Sequence, residues 1–139
     1  MIKIFIVDDH AVVREGLKQI LSQSPDMAVV GEASNGQEAI DKISRNNFSL
    51  IILDIAMPGK SGLEVLREIK SQRPELPVLI LSTYPEEQYA VRVLKAGASG
   101  YLSKESAPDE LVKAIRQVSQ GKKYINPTLG ARLALDRDR

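Results

Sequence analysis

Short apolar runs alternate along this chain with segments in which apolar residues recur every three or four positions. The runs lie at residues 2–7, 27–30, 50–53, 78–81 and 101–103. They are rich in Ile, Val and Leu, which is typical of strands covered on both faces. We therefore predict five buried β-strands.

Helical spacing of apolar residues follows each of these runs and predicts five helices. The shared apolar faces are Val13, Leu17, Ile20 and Leu21; Ala39, Ile40 and Ile43; Val65, Leu66 and Ile69; Ala90, Val93 and Leu94; and Leu111, Val112, Ile115 and Val118. Strands that alternate with helices favour a parallel sheet with right-handed crossovers. We predict an α/β protein with a three-layer, doubly wound (βα)5 fold and strand order 2-1-3-4-5.

Turn and cap residues set the expected ends of two helices and of the domain. Gly97 suits a left-handed position after the fourth helix, and Ser106 suits the N-cap of the fifth. The pattern changes after about Tyr124, where Asn126-Pro127 interrupts it. We expect one domain over residues 1–122 and a tail or the start of an interdomain linker over 123–139.

Composition excludes several classes of protein. The net charge of +1 gives no bulk attraction to nucleic acid or to membranes, and the lack of Cys excludes disulfide scaffolds and thiolate metal sites. No signal peptide pattern and no membrane-length apolar stretch is present. We expect a cytoplasmic protein with no membrane partner.

Four of the predicted strands end in chemically active residues. Asp8-Asp9, Asp54, Ser82 and Lys104 each follow an apolar run. Because the carboxyl ends of parallel strands open on one edge of the sheet, these side chains are expected to converge.

Such a cluster of charges suits a divalent cation and a phosphoryl group. Two carboxylates about 4 Å apart repel by about 4 kcal/mol at an effective dielectric constant of about 20. Mg²⁺, with Mn²⁺ as a substitute, would offset this repulsion between Asp8, Asp9 and Asp54. Asp54 would then act as a nucleophile, with Lys104 and Ser82 binding phosphate oxygens.

The motifs at these strand ends resemble those of two-component response regulator receiver domains. They are Val7-Asp8-Asp9-His10, Leu53-Asp54-Ile55-Ala56-Met57-Pro58-Gly59, Leu81-Ser82-Thr83 and Gly100-Tyr101-Leu102-Ser103-Lys104. Their order and spacing match over residues 1 to about 122. The Asp-Asp-His start and the segment from Gly121 to Pro127 are most similar to the NarL/FixJ (LuxR-type) regulators, which have a flavodoxin-like fold.

The resemblance implies a role for each site residue. It makes Asp54 the phosphoacceptor, Asp8, Asp9, Asp54 and the Ala56 carbonyl the Mg²⁺ site, Lys104 and Ser82 the phosphate contacts, and Ser82 and Tyr101 the switch. Where many receivers have a cis-proline after this lysine, the chain has Glu105. A cis bond there would cost about 3 kcal/mol, so we do not assume one.

The resemblance also implies function and partners. A sensor histidine kinase would phosphorylate Asp54, and the surface of the fourth helix, fifth strand and fifth helix would change. This protein would promote its own phosphorylation and dephosphorylation and would not be a conventional enzyme. Phosphorylation could also promote homodimers. DNA binding in transcription regulation would need an effector domain, which we expect to be absent from these residues.

Simpler and rival interpretations remain open. Asp9 would serve as a helix cap, Lys104 as a surface residue, Tyr101 as core packing and His10 as a first-turn residue beside the site. A haloacid-dehalogenase-like phosphatase also uses an aspartate nucleophile and Mg²⁺, but it has a second Asp where this chain has Ala56. A stand-alone interaction module would take no phosphate.

Overall fold

Five strands and five helices alternate in this computed structural model, which describes residues 1–57, 59, 61–82 and 86–125, with the backbone alone for 86–89. The elements are β1 (Ile2–Val7), α1 (Ala11–Ser22), β2 (Met27–Ala33), α2 (Gly36–Arg45), β3 (Leu50–Asp54), α3 (Gly62–Gln72), β4 (Val78–Ser82), α4 (Glu86–Lys95), β5 (Gly100–Ser103) and α5 (Ala107–Ser119).

The sheet has the predicted topology. All four neighbouring strand pairs are parallel, in the order β2-β1-β3-β4-β5. β2 extends three residues beyond its predicted end. It is an edge strand, and such a strand does not need a continuous apolar run. Only Met27 and Ala33 of β2 are buried, so its second half lacks the continuous apolar run that marks the central strands.

Helices cover both faces of the sheet. One apolar core lies beneath α1 and α5, and a second lies beneath α2, α3 and α4. Every residue of β3 and β4 is buried. The central strands are therefore buried supports for the residues at their carboxyl ends.

The two predicted helix ends differ in outcome. Gly97 has φ +108°, in the left-handed region expected of a residue after a helix. Ser106 occupies the N-cap position of α5, but its side chain caps no backbone N–H. Its Oγ lies instead 2.9 Å from the Oγ of Ser103, so a hydroxyl pair joins β5 to α5.

The segment after α5 packs against the edge of the sheet. The Tyr124 carbonyl accepts a hydrogen bond from Tyr101 N–H (3.2 Å), and Tyr124 N–H donates to the Ser99 carbonyl (3.0 Å). Ile125 packs on the core beneath α2, α3 and α4. The boundary at residue 122 stays a prediction, and the packed region continues past it to residue 125.

Tyr124→Phe is expected to lower the free energy of unfolding by about 1 kcal/mol at pH 8. The phenol donates a 2.7 Å hydrogen bond to Glu110 Oε1, and burial, followed by Glu110, raises the pKa of Tyr124 to about 12. A raised pKa adds stability below the unfolded value of about 10, and that contribution is lost as the pH rises toward 12.

Urea unfolding of the wild type and Tyr124→Phe at pH 8 and pH 11 measures this effect. The difference between the two proteins should shrink at pH 11. Glu110→Gln keeps an acceptor oxygen and should cost less than Tyr124→Phe at pH 8. An identical difference at both pH values would contradict the assignment.

No helix within the described residues combines the length and the apolar character that a membrane span requires.

Candidate functional site

The predicted acidic cluster forms at the carboxyl edge of the sheet. Asp8 follows β1, and Asp54 is the last residue of β3. Their side chains are only 2% and 1% exposed, and Asp9 is less deeply buried. Donor atoms of Asp8, Asp9, His10 and Asp54 lie within 4.8 Å of one another. The tertiary structure thus brings together residues from two separate strand ends.

Backbone amides hold one oxygen of each deeply buried carboxylate. His10 N–H donates to Asp8 Oδ1 at 2.8 Å, and Ala56 N–H donates to Asp54 Oδ1 at 3.1 Å. In both cases the side chain accepts from the residue two positions later, which is a typical local use of Asp after a strand. Within the part of the chain that the structure describes, the second oxygen of each carboxylate has no backbone donor and lies near Lys104 Nζ.

Lys104 supplies the positively charged side chain of the site. Its Nζ lies 3.0 Å from Asp8 Oδ2 and 3.4 Å from Asp54 Oδ2, and its side chain is 17% exposed. Its backbone N–H donates to the Ser82 carbonyl at 2.9 Å, which aligns the end of β5 with that of β4. No described peptide bond is cis, so the bond from Lys104 to Glu105 is trans.

Burial and charge shift the pKa values of this pair. Burial, together with the nearby Asp8, raises the pKa of Asp54, although the Ala56 N–H and Lys104 oppose the shift. Burial alone would lower the pKa of Lys104, but Asp8 and Asp54 outweigh it and raise that pKa. The lysine is thus firmly cationic, while the Asp54 carboxylate is held at an energetic cost.

Three oxygens of the cluster fit a divalent cation. Among the described residues, Asp8 Oδ2, Asp9 Oδ1 and Asp54 Oδ2 are buried and accept no hydrogen bond, although Lys104 Nζ lies close to two of them. Carboxylate oxygens are the ligands that Mg²⁺ prefers, and its opposite ligands lie about 4 Å apart. The donor atoms of the cluster lie within 4.8 Å of one another, so the residues present suit the ion.

Ser82 and Tyr101 lie on neighbouring strands beside this cluster. Ser82 ends β4 and is fully buried, and it pairs with Ser103 of β5. Tyr101 is 4% exposed and belongs to the core beneath α2, α3 and α4. Its ring is therefore already inside the protein, and its predicted rotamer change stays a prediction.

Two residues of the predicted motifs, Pro58 and Thr83, lie outside the described residues. The Ala56 residue is partly buried two positions past Asp54, and the role of its carbonyl stays a prediction.

His10 occupies the N-cap position of α1, next to the carboxylates. Its Nδ1 lies 3.1 Å from Asp9 Oδ1 and 3.4 Å from Asp8 Oδ1. No side chain caps α1 at this position, so the alternative of Asp9 as a helix cap is not observed. His10 lies beside the site, as expected, but it is the N-cap residue and not a residue of the first helical turn.

Sequence reasoning missed Arg14. Its Nη1 donates a 2.6 Å hydrogen bond to the Asp8 carbonyl, directly behind the acidic pair. One signal was available, because α1 offers Arg14 no acidic partner three or four residues away, where positions 10, 11, 17 and 18 are His, Ala, Leu and Lys. A half-buried Arg without a local partner must find one elsewhere in the fold.

Comparison with known proteins agrees with this geometry. Residues 4–116 match the family described as the response regulator receiver domain. The chain is 42% identical over 126 residues to the transcriptional regulatory protein DegU of Brevibacillus brevis, covering 91% of this chain and 53% of DegU. It is 39% identical over 135 residues to the response regulator UvrY of Escherichia coli K12, covering 97% and 62%. The chain thus spans between half and two thirds of these relatives.

Solved structures share the fold. A LuxR-family two-component response regulator from Aurantimonas superposes with a TM-score of 0.88 at 33% identity, covering 99% of this chain and 98% of that one. The isolated receiver domain of RcsB from Salmonella enterica, determined with the phosphomimetic BeF₃⁻, gives a TM-score of 0.84 at 28% identity, with coverage of 95% and 97%.

Proposed function

The chain belongs to the response regulator receiver domain family of two-component systems, and on that premise we propose that Asp54 accepts a phosphoryl group from the phosphohistidine of a sensor histidine kinase. The reaction forms a bond between an Asp54 oxygen and phosphorus and breaks the phosphorus–nitrogen bond, returning the histidine side chain of the kinase. Hydrolysis of the resulting acyl phosphate resets the switch.

The free oxygen of Asp54 is the observation that carries this proposal. Asp54 Oδ1 is occupied by the Ala56 N–H, whereas Oδ2 is buried, accepts no hydrogen bond and lies 3.4 Å from Lys104 Nζ. We propose that the Asp54 carboxylate, which faces the cluster through Oδ2, is the attacking group. A buried carboxylate with one unsolvated oxygen is a stronger nucleophile than one surrounded by water.

Charge neutralisation at the site requires both a cation and Lys104. Asp8, Asp9 and Asp54, with the Ala56 carbonyl, would hold Mg²⁺ or Mn²⁺, which supplies positive charge against the phosphoryl oxygens. Lys104, now paired with Asp8 and Asp54, would shift its contact to the transferred phosphoryl group. The fully buried Ser82 at the end of β4 would donate its hydroxyl to the same group.

Phosphorylation would then be transmitted through β4 and β5. Ser82 and Lys104 end these strands and are joined by the Lys104 N–H to Ser82 carbonyl hydrogen bond. Movement of either residue would act on Tyr101 and on the surface of α4, β5 and α5. The response is a population shift, limited by how differently the phosphoryl group binds the two states.

The output proposed here is transcription control by an effector domain outside these residues. The curated relatives include a transcriptional regulatory protein, and one related structure is described as two RcsB dimers bound to two parallel DNAs. We propose that residues 1–122 form the receiver and that the residues after it lead to a DNA-binding domain. We also propose that phosphorylation promotes a homodimer and that the protein acts in the cytoplasm. It is a signalling protein that acts once on itself and does not turn over a substrate.

Intact-mass analysis with a small acyl phosphate tests the phosphoacceptor proposal. We expect one phosphoryl group on the wild type with Mg²⁺ and a return to background with a chelator, since the repulsion between the three carboxylates is then unrelieved. Peptide mapping should place the group on Asp54. Absence of labelling on the folded, Mg²⁺-saturated protein would favour an interaction module, and rapid turnover of a phosphate ester would favour a phosphatase.

A further inference from the structure

Arg14 links α1, β1 and β2 behind the acidic cluster. Its Nη1 donates to the Asp8 carbonyl at 2.6 Å, and its Nε donates to Glu32 Oε1 at 2.7 Å. The side chain is 15% exposed. A guanidinium with two directed hydrogen bonds holds its partners in a fixed geometry that a single ammonium does not provide.

The carbonyl that Arg14 binds belongs to the peptide between Asp8 and Asp9. Fixing this peptide plane also fixes the direction in which the Asp9 backbone leaves β1. The rest of the turn is held by Asp8 N–H to the Ala33 carbonyl (3.1 Å) and by Arg14 N–H to the His10 carbonyl (3.1 Å). The Arg14 side chain adds a second link between the acidic pair and β2, through Glu32, beside the backbone bond from Asp8 to Ala33.

The carboxylate of Glu32 reduces the repulsion between the charge of Arg14 and a cation bound at the acidic cluster. Glu32 pairs with Arg14 and also forms an ion pair with Lys18. Side-chain hydrogen bonds from Lys18, and then Arg14, lower the pKa of Glu32, so that it is a carboxylate at neutral pH. The guanidinium thus has an adjacent counter-charge on Glu32.

We propose that Arg14 is a positioning residue for the divalent cation: it holds the Asp8–Asp9 peptide so that both carboxylates meet the same ion. The inference rests on the proposed function, because it assumes that the acidic cluster binds that ion. Arg14 itself touches neither the cation nor the phosphoryl group.

The sign of the change in metal affinity separates positioning from simple electrostatics. Arg14→Met removes a positive charge near an anionic site, so electrostatics alone would make cation binding tighter. Loss of positioning makes it weaker, and loss of a residue that orients metal ligands typically reduces affinity by about 10- to 100-fold. We expect at least a tenfold rise in the Kd for Mn²⁺, measured by electron paramagnetic resonance of the free ion.

Two further variants complete the design. Lys18→Met removes the other cation that pairs with Glu32 and does not touch the Asp8 carbonyl. Its Kd should stay within about threefold of the wild type, because the Lys18 side chain is partly exposed and solvent screens its charge. Arg14→Lys reaches only one of the two acceptors and should recover only part of the affinity. Circular dichroism at the assay temperature selects samples that are folded.

Labelling kinetics give a second measurement. The Mg²⁺ concentration for half-maximal phosphorylation should rise at least tenfold in Arg14→Met, while the rate at saturating Mg²⁺ stays near that of the wild type. A folded Arg14→Met protein that binds Mn²⁺ as tightly as the wild type, or more tightly, would overturn the inference. A wild type that binds no Mn²⁺ would instead overturn the proposed cation site.

Discussion

Asp54→Asn is expected to abolish phosphoryl labelling in the presence of Mg²⁺ and to stabilise the metal-free protein. The amide lacks the carboxylate oxygen that would attack phosphorus, so labelling should fall to background. Burial and Asp8 raise the pKa of Asp54, which means that its charged form is disfavoured in the fold. A neutral amide of the same shape removes that cost.

The pH dependence follows from the direction of this shift. A group with a raised pKa contributes most below its unfolded pKa, and its contribution falls as the pH rises through the folded value. The stability advantage of Asp54→Asn should therefore be larger at pH 7 than at pH 4. Added Mg²⁺ should narrow it at pH 7, because the cation stabilises only the carboxylate form.

Urea unfolding at both pH values, with and without Mg²⁺, measures the stability effect, and intact mass measures labelling. Asp41→Asn is a matched control, since this carboxylate is exposed on α2 and accepts a bond from Gln37 on its own helix. It should change neither quantity. Full labelling of Asp54→Asn would place the phosphoacceptor elsewhere and end the proposed mechanism.

Gly62→Ala is expected to destabilise the protein by about 2–3 kcal/mol through a backbone clash. An added Cβ would lie 2.4 Å from Ile55 Cα and 2.7 Å from the Ile55 carbonyl oxygen. Gly62 N–H also donates to that carbonyl at 3.2 Å, so the start of α3 lies directly against the residue that follows Asp54. Backbone atoms cannot turn aside as a flexible side chain can.

Gly16→Ala provides the matched control with the opposite sign. Gly16 lies within α1, and among the described residues an added Cβ would contact nothing within 4 Å apart from the backbone of its own helix, so the methyl group meets open space. Replacing Gly by Ala inside a helix stabilises by about 0.5–1 kcal/mol. Urea unfolding of both variants measures the contrast.

The clash should also weaken metal binding at the candidate functional site. Displacement of Ile55 moves the neighbouring Asp54 and Ala56, so the folded fraction of Gly62→Ala should bind Mn²⁺ more weakly than the wild type. An unfolding free energy equal to that of the wild type would mean that α3 moves away from Ile55 without cost.

The strands show how far local pattern determines structure. The sequence predicts β1, β3 and β4 to within one residue because these strands are mostly buried on both faces and almost entirely apolar, with the exposed Lys3 of β1 as an exception. β2 was predicted too short because an edge strand needs no such run. Its last residues are held by pairing with Phe5, Ile6 and Val7, which lie far away in sequence.

The candidate site, like the strands, is predictable from the sequence only in part. The pattern of strands and polar residues is enough to predict that Asp8, Asp9, Asp54 and Lys104 meet, because parallel strands with right-handed crossovers bring their carboxyl ends to one edge. It also determined the chemical character of the cluster, since the residue types set the available charges.

Four finer features depend on how separate elements pack. They are which oxygen of Asp54 accepts the Ala56 N–H, the bond from Arg14 to the Asp8 carbonyl, the contact of Gly62 with Ile55, and the extension of the packed region to Tyr124. Each depends on distances of a few ångströms between segments that are separate in sequence. Hydrophobic periodicity reports which face of an element is buried, but it does not report which atoms of another element lie opposite.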